Sequence, residues 1–149
     1  MSELASLLEK TLHEEIPLTR DIGIQVVHAT TQQVQLSAPL SPNVNHKCTA
    51  FGGSLYAVAV LAGWSMVFAQ LHAAGIHAHI VIQDAKIDYL LPVVETINAE
   101  CRVNGEADFA HCLKLFARKG RGRIELPVQI ITAQGIAVQF IGNYVIHQD

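Results

Sequence analysis

The sequence predicts an α+β fold in which a curved antiparallel sheet wraps around one long central helix. The helix is indicated by the segment from Gly53 to about Ala74, which is long and apolar on nearly every face. The sheet is indicated by several segments in which apolar and polar residues alternate. Strands joined by short turns pair antiparallel, and a helix without a polar face must be buried. We therefore expect the sheet to enclose the helix.

The length and composition predict a single domain that spans residues 1–149. A chain of 149 residues can bury a core without disulfides or a metal. Half of the residues are hydrophobic and only 15% are charged. We therefore expect an oligomer interface to cover part of the apolar surface.

Charge and cysteine content restrict the class of protein. The formal net charge is -3, which leaves no broad basic field to meet the phosphates of a nucleic acid. Three cysteines at uneven spacings favour reduced thiols. The first ten residues lack the basic and apolar regions of a secretory signal. We expect a cytoplasmic protein with no nucleic-acid partner.

The elements that precede the long helix follow from their patterns. Leucines at helical spacing predict a short amphipathic helix over residues 3–14, which ends near Pro17. Residues 22–30 and 33–40 have the pattern of two strands, and a polar loop with two prolines leads into the long helix. Gly75 is the expected residue that ends this helix.

Everything after the long helix is predicted to be strand, with no further helix. The predicted strands lie in residues 79–92, 95–105, 109–119, 123–133 and 136–147. Glycine-containing turns, RKGRG and AQG, separate the last three. An antiparallel sheet of consecutive strands is therefore expected.

A transmembrane helix is the alternative interpretation of the long apolar segment. No Asp, Glu, Lys or Arg lies between Lys47 and Asp84, and the length approaches that of a membrane span. The segment has no basic flank, however, and it is rich in small residues. A lone span would also leave the predicted sheet unexplained. We therefore favour a buried helix and expect no membrane association.

The start of the long helix resembles the acyl-CoA thioesterases of the hotdog superfamily. Phenylacetate-pathway and related members carry an Asn, a short polar loop and then His-Gly-Gly at this point. The matching run here is NHKCTAFGG, in which Asn45, Gly52 and Gly53 match and Phe51 replaces the His. The resemblance implies a hotdog fold for the whole domain.

One narrower family resembles the chain more closely, over residues 10–147. It is the thioesterase family typified by the C-terminal part of YiiD, and its features are TAFGGSLYAVAVLAGW, IVIQDAKIDYLLPV and GIAVQFIGNYV. Its members have been linked to malonyl-acyl-carrier-protein decarboxylation. The resemblance implies a substrate carried as a thioester on acyl carrier protein phosphopantetheine or on coenzyme A, with no bound cofactor. It also implies a homodimer that pairs the strand around residues 80–91, and a tetramer is the alternative assembly.

Gly52 and Gly53 are the central candidates for the site. Their N–H groups begin a helix and lack intrahelical partners, and the helix dipole adds partial positive charge. Such a site suits a thioester oxygen that becomes negative in a transition state. Phe51 beside them is expected to contact the bound thioester. The alternative is a tight turn before a buried helix.

The long helix lacks the acid that hydrolysis needs. Related hotdog thioesterases place an Asp or Glu about two turns beyond the glycines, where residues 58–62 are Val, Ala, Val, Leu and Ala. Decarboxylation of a malonyl thioester needs donors for an enolate oxygen but no general base. Asn45 and Thr49 are the expected side-chain donors, beside Gly52 and Gly53. Malonyl decarboxylation is therefore favoured, with hydrolysis and a non-catalytic thioester-binding module as alternatives.

Three further groups have a structural and a functional interpretation. A Cys/His pair at His46 and Cys48 is less favoured than an inert thiol. A zinc site in the segment 72–79, which holds three histidines, is less favoured than histidines at a helix end and on a strand. Asp84 and Asp88 share one strand face, where they pair with Lys86 or meet solvent unless they supply an acid to a neighbouring subunit. We therefore expect no metal.

A basic run lies in ARKGRGR. Its members are Arg118, Lys119, Arg121 and Arg123. The sequence favours a solvated hairpin tip, and the functional alternative is attraction to an acidic carrier protein or to coenzyme A phosphates.

Overall fold

The computed structural model describes residues 1–105 and 107–148. The elements are α1 (Glu3–Glu15), α2 (Leu18–Ile22), β1 (Gln25–Ala29), β2 (Gln33–Ala38), a 3-10 turn (Ser41–Asn43), α3 (Gly52–Ala74), β3 (His79–Tyr89), β4 (Ile97–Arg102), α4 (Ala107–Lys119), β5 (Arg121–Thr132) and β6 (Gly135–His147).

The six strands form one antiparallel sheet in the order β1-β2-β4-β5-β6-β3. Helix α3 packs against β2, β3, β4, β5 and β6. Val58, Ala59, Ala62 and Met66 on this helix are fully buried. The predicted α+β fold, with a long central helix wrapped by a curved antiparallel sheet, is confirmed.

Helix α3 is long and apolar enough to cross a membrane by composition alone. Its apolar character has another cause here, because it is the core helix of the fold and the sheet covers much of its surface. It ends at Gly75, which adopts a left-handed conformation with φ 68°, as the sequence predicts.

A glycine in the middle of α3 lets the sheet approach closely. The hydroxyl of Tyr144 on β6 donates a hydrogen bond of 2.7 Å to the carbonyl oxygen of Val60. A Cβ atom built on Gly63 would lie only 2.1 Å from that hydroxyl oxygen. The small residue is therefore required by the packing of strand on helix.

The prediction of a strand over residues 109–119 is wrong, because this segment forms α4. The buried or half-buried residues Phe109, Cys112, Leu113 and Phe116 recur at i, i+3, i+4 and i+7, which is the helical period. The helix lies against β5, where a Cβ atom on Gly122 would come within 2.4 Å of the Cys112 carbonyl oxygen. In the described residues, four strands and one further helix therefore follow α3.

The basic run is consequently not a hairpin tip. Arg118 and Lys119 lie in the last turn of α4, and Gly120 ends the helix with φ 72°. Arg121 and Arg123 lie on the exposed face of β5, whose residues alternate strictly between exposed and buried. We call these four cations the basic cluster.

Strand β3 is an edge of the sheet, paired on one side with β6. At its first residue, His79 is level with His147 of β6 and with Arg121 of β5. At its last residue, Tyr89 donates a hydrogen bond of 2.9 Å to the carbonyl oxygen of Gly52. We call the His79 end of β3 its far end, and the Tyr89 end, which lies beside Gly52, its near end.

Candidate functional site

The residues before α3 form a closed loop, residues 43–53, which we call the glycine loop. An isolated antiparallel bridge joins Val44 to Ala50, and the Asn45 N–H donates to the Thr49 carbonyl oxygen at 2.8 Å. Cys48 lies at its tip with φ 62°, a left-handed conformation that is uncommon outside glycine. The backbone of the loop is thus fixed by its own hydrogen bonds.

Asn45 holds this loop through its side chain. Its Oδ1 accepts the N–H groups of Lys47 at 2.8 Å and Thr49 at 3.2 Å, which fixes the orientation of the amide. Its Nδ2 donates to the Thr49 Oγ1 at 2.8 Å. Because that oxygen already accepts a hydrogen bond, the Thr49 hydroxyl is oriented to donate its own hydrogen elsewhere. Asn45 therefore positions Thr49.

Backbone donors lie at the end of the glycine loop, where α3 begins. The first helical hydrogen bond runs from Leu55 N–H to the Phe51 carbonyl oxygen at 3.0 Å. The N–H groups of Gly52, Gly53 and Ser54 thus precede any intrahelical acceptor, and Phe51 supplies no side-chain cap. Three backbone donors lie at the positive end of a 23-residue helix.

Two aromatic rings flank these donors. A Cβ atom on Gly53 would lie 2.4 Å from the Phe51 ring, and one on Gly52 would lie 3.5 Å from the Tyr89 ring. Both rings are about half exposed, at 54% for Phe51 and 52% for Tyr89. Partial burial raises the pKa of the Tyr89 hydroxyl, and Tyr56 adds a smaller effect. The absence of a side chain at Gly53 therefore leaves room for the Phe51 ring beside the backbone.

Sequence reasoning missed Tyr89. Tyr89 is 37 residues from Gly52 in sequence, at the end of β3, and only the pairing of β3 brings its hydroxyl to Gly52. An aromatic residue just before the Leu-Leu-Pro that ends the strand was the available signal.

The position of the missing acid is filled by core packing. Val58, Ala59, Leu61 and Ala62 are buried two turns beyond the glycines, and the carbonyl oxygen of Val60 accepts the Tyr144 hydroxyl. Burial raises the pKa of Tyr144 far above its ordinary value, so this group stays a neutral structural donor. No residue of α3 is an Asp or Glu.

The acids of β3 have partners on β6 and on β3 itself. Asp84 accepts a hydrogen bond of 2.6 Å from Asn143, and Asp88 lies 4.0 Å from the Lys86 ammonium. Asp84, Lys86 and Asp88 are all on the exposed face of β3. This agrees with the interpretation that the two acids pair with Lys86 or meet solvent.

The loop thiol and the histidines show no catalytic geometry. His46 and Cys48 are both exposed, and no hydrogen bond joins them. His72, His77 and His79 line a cleft of ≈ 970 Å³ beside the last turns of α3. Within residues 1–105 and 107–148, no three His, Cys, Asp or Glu side chains converge as metal ligands.

The basic cluster lies apart from the glycine loop of its own chain. Arg121 is level with the far end of β3, whereas the loop is at the near end. Within the described part of the chain, none of the four cations forms an ion pair. The prediction that they attract the substrate stays a prediction.

A curved antiparallel sheet around one core helix, with free backbone donors where that helix begins, defines a hotdog-fold protein of the thioesterase type. Residues 5–148 match the family described as "Putative thioesterase (yiiD_Cterm)". The chain therefore belongs to the YiiD C-terminal thioesterase family, and the resemblance noted in the sequence is confirmed.

Solved structures agree with this membership. A protein of unknown function from Chlorobaculum tepidum TLS is 31% identical, with a TM-score of 0.93, and the match covers 98% of this chain and 95% of that chain. A "putative thioesterase" from Shewanella oneidensis is 32% identical, with a TM-score of 0.84 and 99% of each chain covered. The E. coli PaaI protein from the phenylacetic acid degradation operon is 17% identical, with a TM-score of 0.67 over 99% of this chain and 95% of that chain, and it shares the fold.

Proposed function

We propose that this protein decarboxylates a malonyl thioester to the acetyl thioester, with the substrate carried on acyl carrier protein or coenzyme A. One observation carries the proposal. The candidate site has hydrogen-bond donors at Thr49, Gly52 and Gly53, and α3, which begins at the two glycines, has no acid where a hydrolase would need one. An acetyl carrier made in this way would serve to initiate fatty acid synthesis.

The reaction needs donors and a dry pocket. The bond between the α-carbon and the carboxylate carbon breaks, carbon dioxide leaves, and the electron pair becomes an enolate on the thioester oxygen. The N–H groups of Gly52 and Gly53 and the Thr49 hydroxyl donate to that oxygen and stabilise its charge. The exposed rings of Phe51 and Tyr89 exclude water from the departing carboxylate. A proton from water then converts the enolate to the acetyl thioester.

The proposed active unit is a homodimer in which two β3 strands pair. An exposed eleven-residue edge strand presents a row of backbone groups that a second strand can satisfy. Val81 on this strand is 45% exposed, and Ile80 and Ile82 are half-buried. Pairing through a two-fold axis covers these residues and uses the same surface of both protomers.

Hydrolysis of an acyl thioester is the second candidate. The Shewanella relative, at 32% identity, is described as a putative thioesterase, and the same donors would stabilise a tetrahedral oxyanion. In that case water needs a base that α3 does not provide. This difference makes the two reactions separable by their products.

Mass spectrometry of malonyl-carrier and acetyl-carrier substrates tests the proposal. We expect malonyl carrier to lose carbon dioxide and yield acetyl carrier, with no free carrier thiol. Release of free thiol from both substrates would instead establish hydrolysis. Binding of both carriers without turnover would establish a non-catalytic module and overturn the proposed reaction.

A further inference from the structure

Two tyrosine hydroxyls donate hydrogen bonds to main-chain carbonyl oxygens of α3, at very different places. Tyr144 contacts Val60 in the buried middle of the helix, at 2.7 Å. Tyr89 contacts Gly52, the first residue of the helix, at 2.9 Å, and this tyrosine is half exposed. The first bond packs the sheet on the helix. The second lies at the candidate site, so its role needs a separate explanation.

The carbonyl that Tyr89 contacts belongs to the same peptide group as a proposed donor to the substrate. The carbonyl carbon of Gly52 is bonded to the nitrogen of Gly53, and this peptide is planar and trans, so its C=O and N–H point in opposite directions. The Gly53 N–H precedes any intrahelical acceptor, whereas the Leu61 N–H, which shares a peptide with the Val60 carbonyl, lies inside the helix. Of the two tyrosines, Tyr89 therefore acts on an N–H that is open to a ligand.

Beyond the hydrogen bonding of the helix, the glycine peptide is restrained from two sides. Glycine has the widest range of backbone conformations, so such restraints matter more here than elsewhere in α3. On the loop side, the Phe51 N–H donates to the Asn43 carbonyl oxygen at 2.7 Å. On the other side, the Tyr89 ring lies 3.5 Å from the place that a Cβ atom on Gly52 would take. Tyr89 therefore restrains this peptide through both its ring and its hydroxyl.

The sheet in turn fixes Tyr89. Its backbone is in register with Val138 of β6. The N–H groups of the next two residues, Leu90 and Leu91, both donate to the Ala137 carbonyl oxygen, at 2.7 and 3.2 Å. The end of a paired strand thus presents the hydroxyl to the glycine peptide before any ligand binds. Electrostatic stabilisation of a transition state depends on donors that are preorganised in this way.

A hydrogen bond to a carbonyl oxygen also strengthens the N–H of the same peptide. Electron density moves from the nitrogen toward the oxygen, so the N–H becomes more positive, and linked hydrogen bonds reinforce each other by about 10–30%. Partial burial raises the pKa of the Tyr89 hydroxyl, so this group remains protonated and able to donate at neutral pH. Tyr89 can therefore both orient the Gly53 N–H and increase its strength as a donor.

We infer that Tyr89 is a positioning residue of the proposed active site, and that its hydroxyl orients and strengthens the Gly53 N–H as a donor to the thioester oxygen. The inference rests on the proposed function, because the thioester is the ligand of that donor. It adds a role for the hydroxyl to the exclusion of water proposed for the ring. The alternative is that the hydroxyl only anchors the end of β3 to α3, as Tyr144 anchors β6.

Infrared spectroscopy of a bound carbonyl measures donor strength without any turnover. The probe is the ketone analogue of an acetyl thioester, in which a methylene group replaces the sulfur and the carbonyl carbon is carbon-13, carried on acyl carrier protein and on coenzyme A. It can be neither hydrolysed nor decarboxylated. Donors lower the stretching frequency of the carbonyl that they contact. In Tyr89→Phe, which keeps the ring, we expect the shift produced by the wild-type protein to shrink by about 10–30%.

Tyr144→Phe is the matched control, because it also removes a tyrosine hydroxyl that donates to a carbonyl of α3. It should lower the melting temperature and leave the probe frequency as in wild type. Tyr89→Phe should show the opposite pattern, since water can replace a half-exposed partner in the folded protein. Replacement of Tyr89 by 3-fluorotyrosine, measured at pH 6 with its hydroxyl protonated, should restore at least the wild-type shift.

Steady-state kinetics on malonyl carrier gives a second measurement. Removal of one oxyanion donor costs about 100- to 1,000-fold in kcat. Weakening one donor by about a tenth to a third should therefore cost about two- to eightfold. We expect Tyr89→Phe to lose this factor in kcat with an unchanged KM, because the donor acts most strongly when charge develops on the enolate oxygen. The 3-fluorotyrosine variant should recover kcat.

Equal probe frequencies in wild type and Tyr89→Phe would overturn the inference and leave only the anchoring role, while decarboxylation by the wild-type protein would still support the proposed function. The same change in Tyr144→Phe would also overturn it, since loss of any packing bond would then suffice. A wild-type protein that does not shift the probe frequency would show that the glycines do not donate to such a carbonyl. If wild-type protein turns over no malonyl thioester, the proposed function fails, and the probe frequencies still decide the role of Tyr89.

Discussion

The two ends of β3 carry opposite kinds of chemistry. At the near end, the donors are mostly backbone N–H groups and one hydroxyl, held by Asn45 and flanked by aromatic rings. At the far end lie histidines and the four cations of the basic cluster, which carry positive charge. Hence the groups that we propose to stabilise a transition state are separated from the cations that the sequence analysis associated with a partner. This separation allows each to be changed without the other.

The largest expected effect comes from disturbing the packing of α3, the core helix, against β6. Gly63→Ala should lower the free energy of unfolding by about 3 kcal/mol, because the new methyl group displaces Tyr144 and breaks its buried hydrogen bond. Chemical denaturation monitored by circular dichroism measures this. Gly53→Ala is the matched control, since the obstacle there is the exposed Phe51 ring, which can move aside. Equal losses for both variants would contradict the packing argument.

The next prediction tests whether Asn45 positions the Thr49 hydroxyl at the near end. Asn45→Asp keeps an acceptor for the N–H groups of Lys47 and Thr49 but loses the donor to the Thr49 hydroxyl. The hydroxyl then donates to the new carboxylate instead of the substrate. We expect kcat on malonyl carrier to fall by about 100-fold, as for removal of one oxyanion donor, with little change in melting temperature.

Thr49→Val should match Asn45→Asp in kcat, because both variants remove the same donor. Thr96→Val, at an exposed residue outside the glycine loop, is the control and should retain full activity. If Asn45→Asp were fully active while Thr49→Val was not, Asn45 would have no positioning role.

The smallest expected effect is that of pH on kcat, which should not change between pH 6 and 9. The pKa of Tyr89 is raised above its ordinary value of 10.0, so its hydroxyl remains protonated and donates to Gly52 throughout pH 6–9. A raised pKa means that this hydrogen bond stabilises the loop below pH 10 and is lost only as the pH passes above the folded-state pKa. The logarithm of kcat on malonyl carrier should be flat from pH 6 to 9. A limb near pH 6.5 would place a histidine in the chemistry.

The sequence predicted the central helix and the sheet because their signals are strong and local. The run after Gly53 has no charged residue, and β5 alternates between exposed and buried faces throughout. Helix α4 was misassigned although Phe109, Cys112 and Phe116 follow the helical period. Its neighbours on both sides are strands, and a short segment with apolar residues in both frames fits either pattern.

The site was predicted in part. Its donors follow from one short stretch, since a polar loop and two glycines at a helix start define them locally. The hydrogen bond from Asn45 to Thr49 and the contact of Tyr89 with Gly52 depend on loop conformation and on long-range pairing. No spacing in the sequence encodes them. For the same reason, the sequence could not reveal that the basic cluster is remote from the loop.

The two outer strands of the sheet, β1 and β3, differ in the side chains that contact their backbone. On β1, a bulge follows Val26, and the Val26 N–H donates at 2.8 Å to the carboxylate of Glu9 on α1. Helix α1 therefore caps that margin with a side chain. Strand β3 is the other edge of the sheet, and there the Trp64 indole N–H of α3 donates at 3.1 Å to the carbonyl oxygen of Ile80. If two protomers pair through β3 as proposed, the outer strands of the joined sheet are the two β1 strands, whose margin Glu9 of α1 occupies, and this arrangement opposes further strand addition.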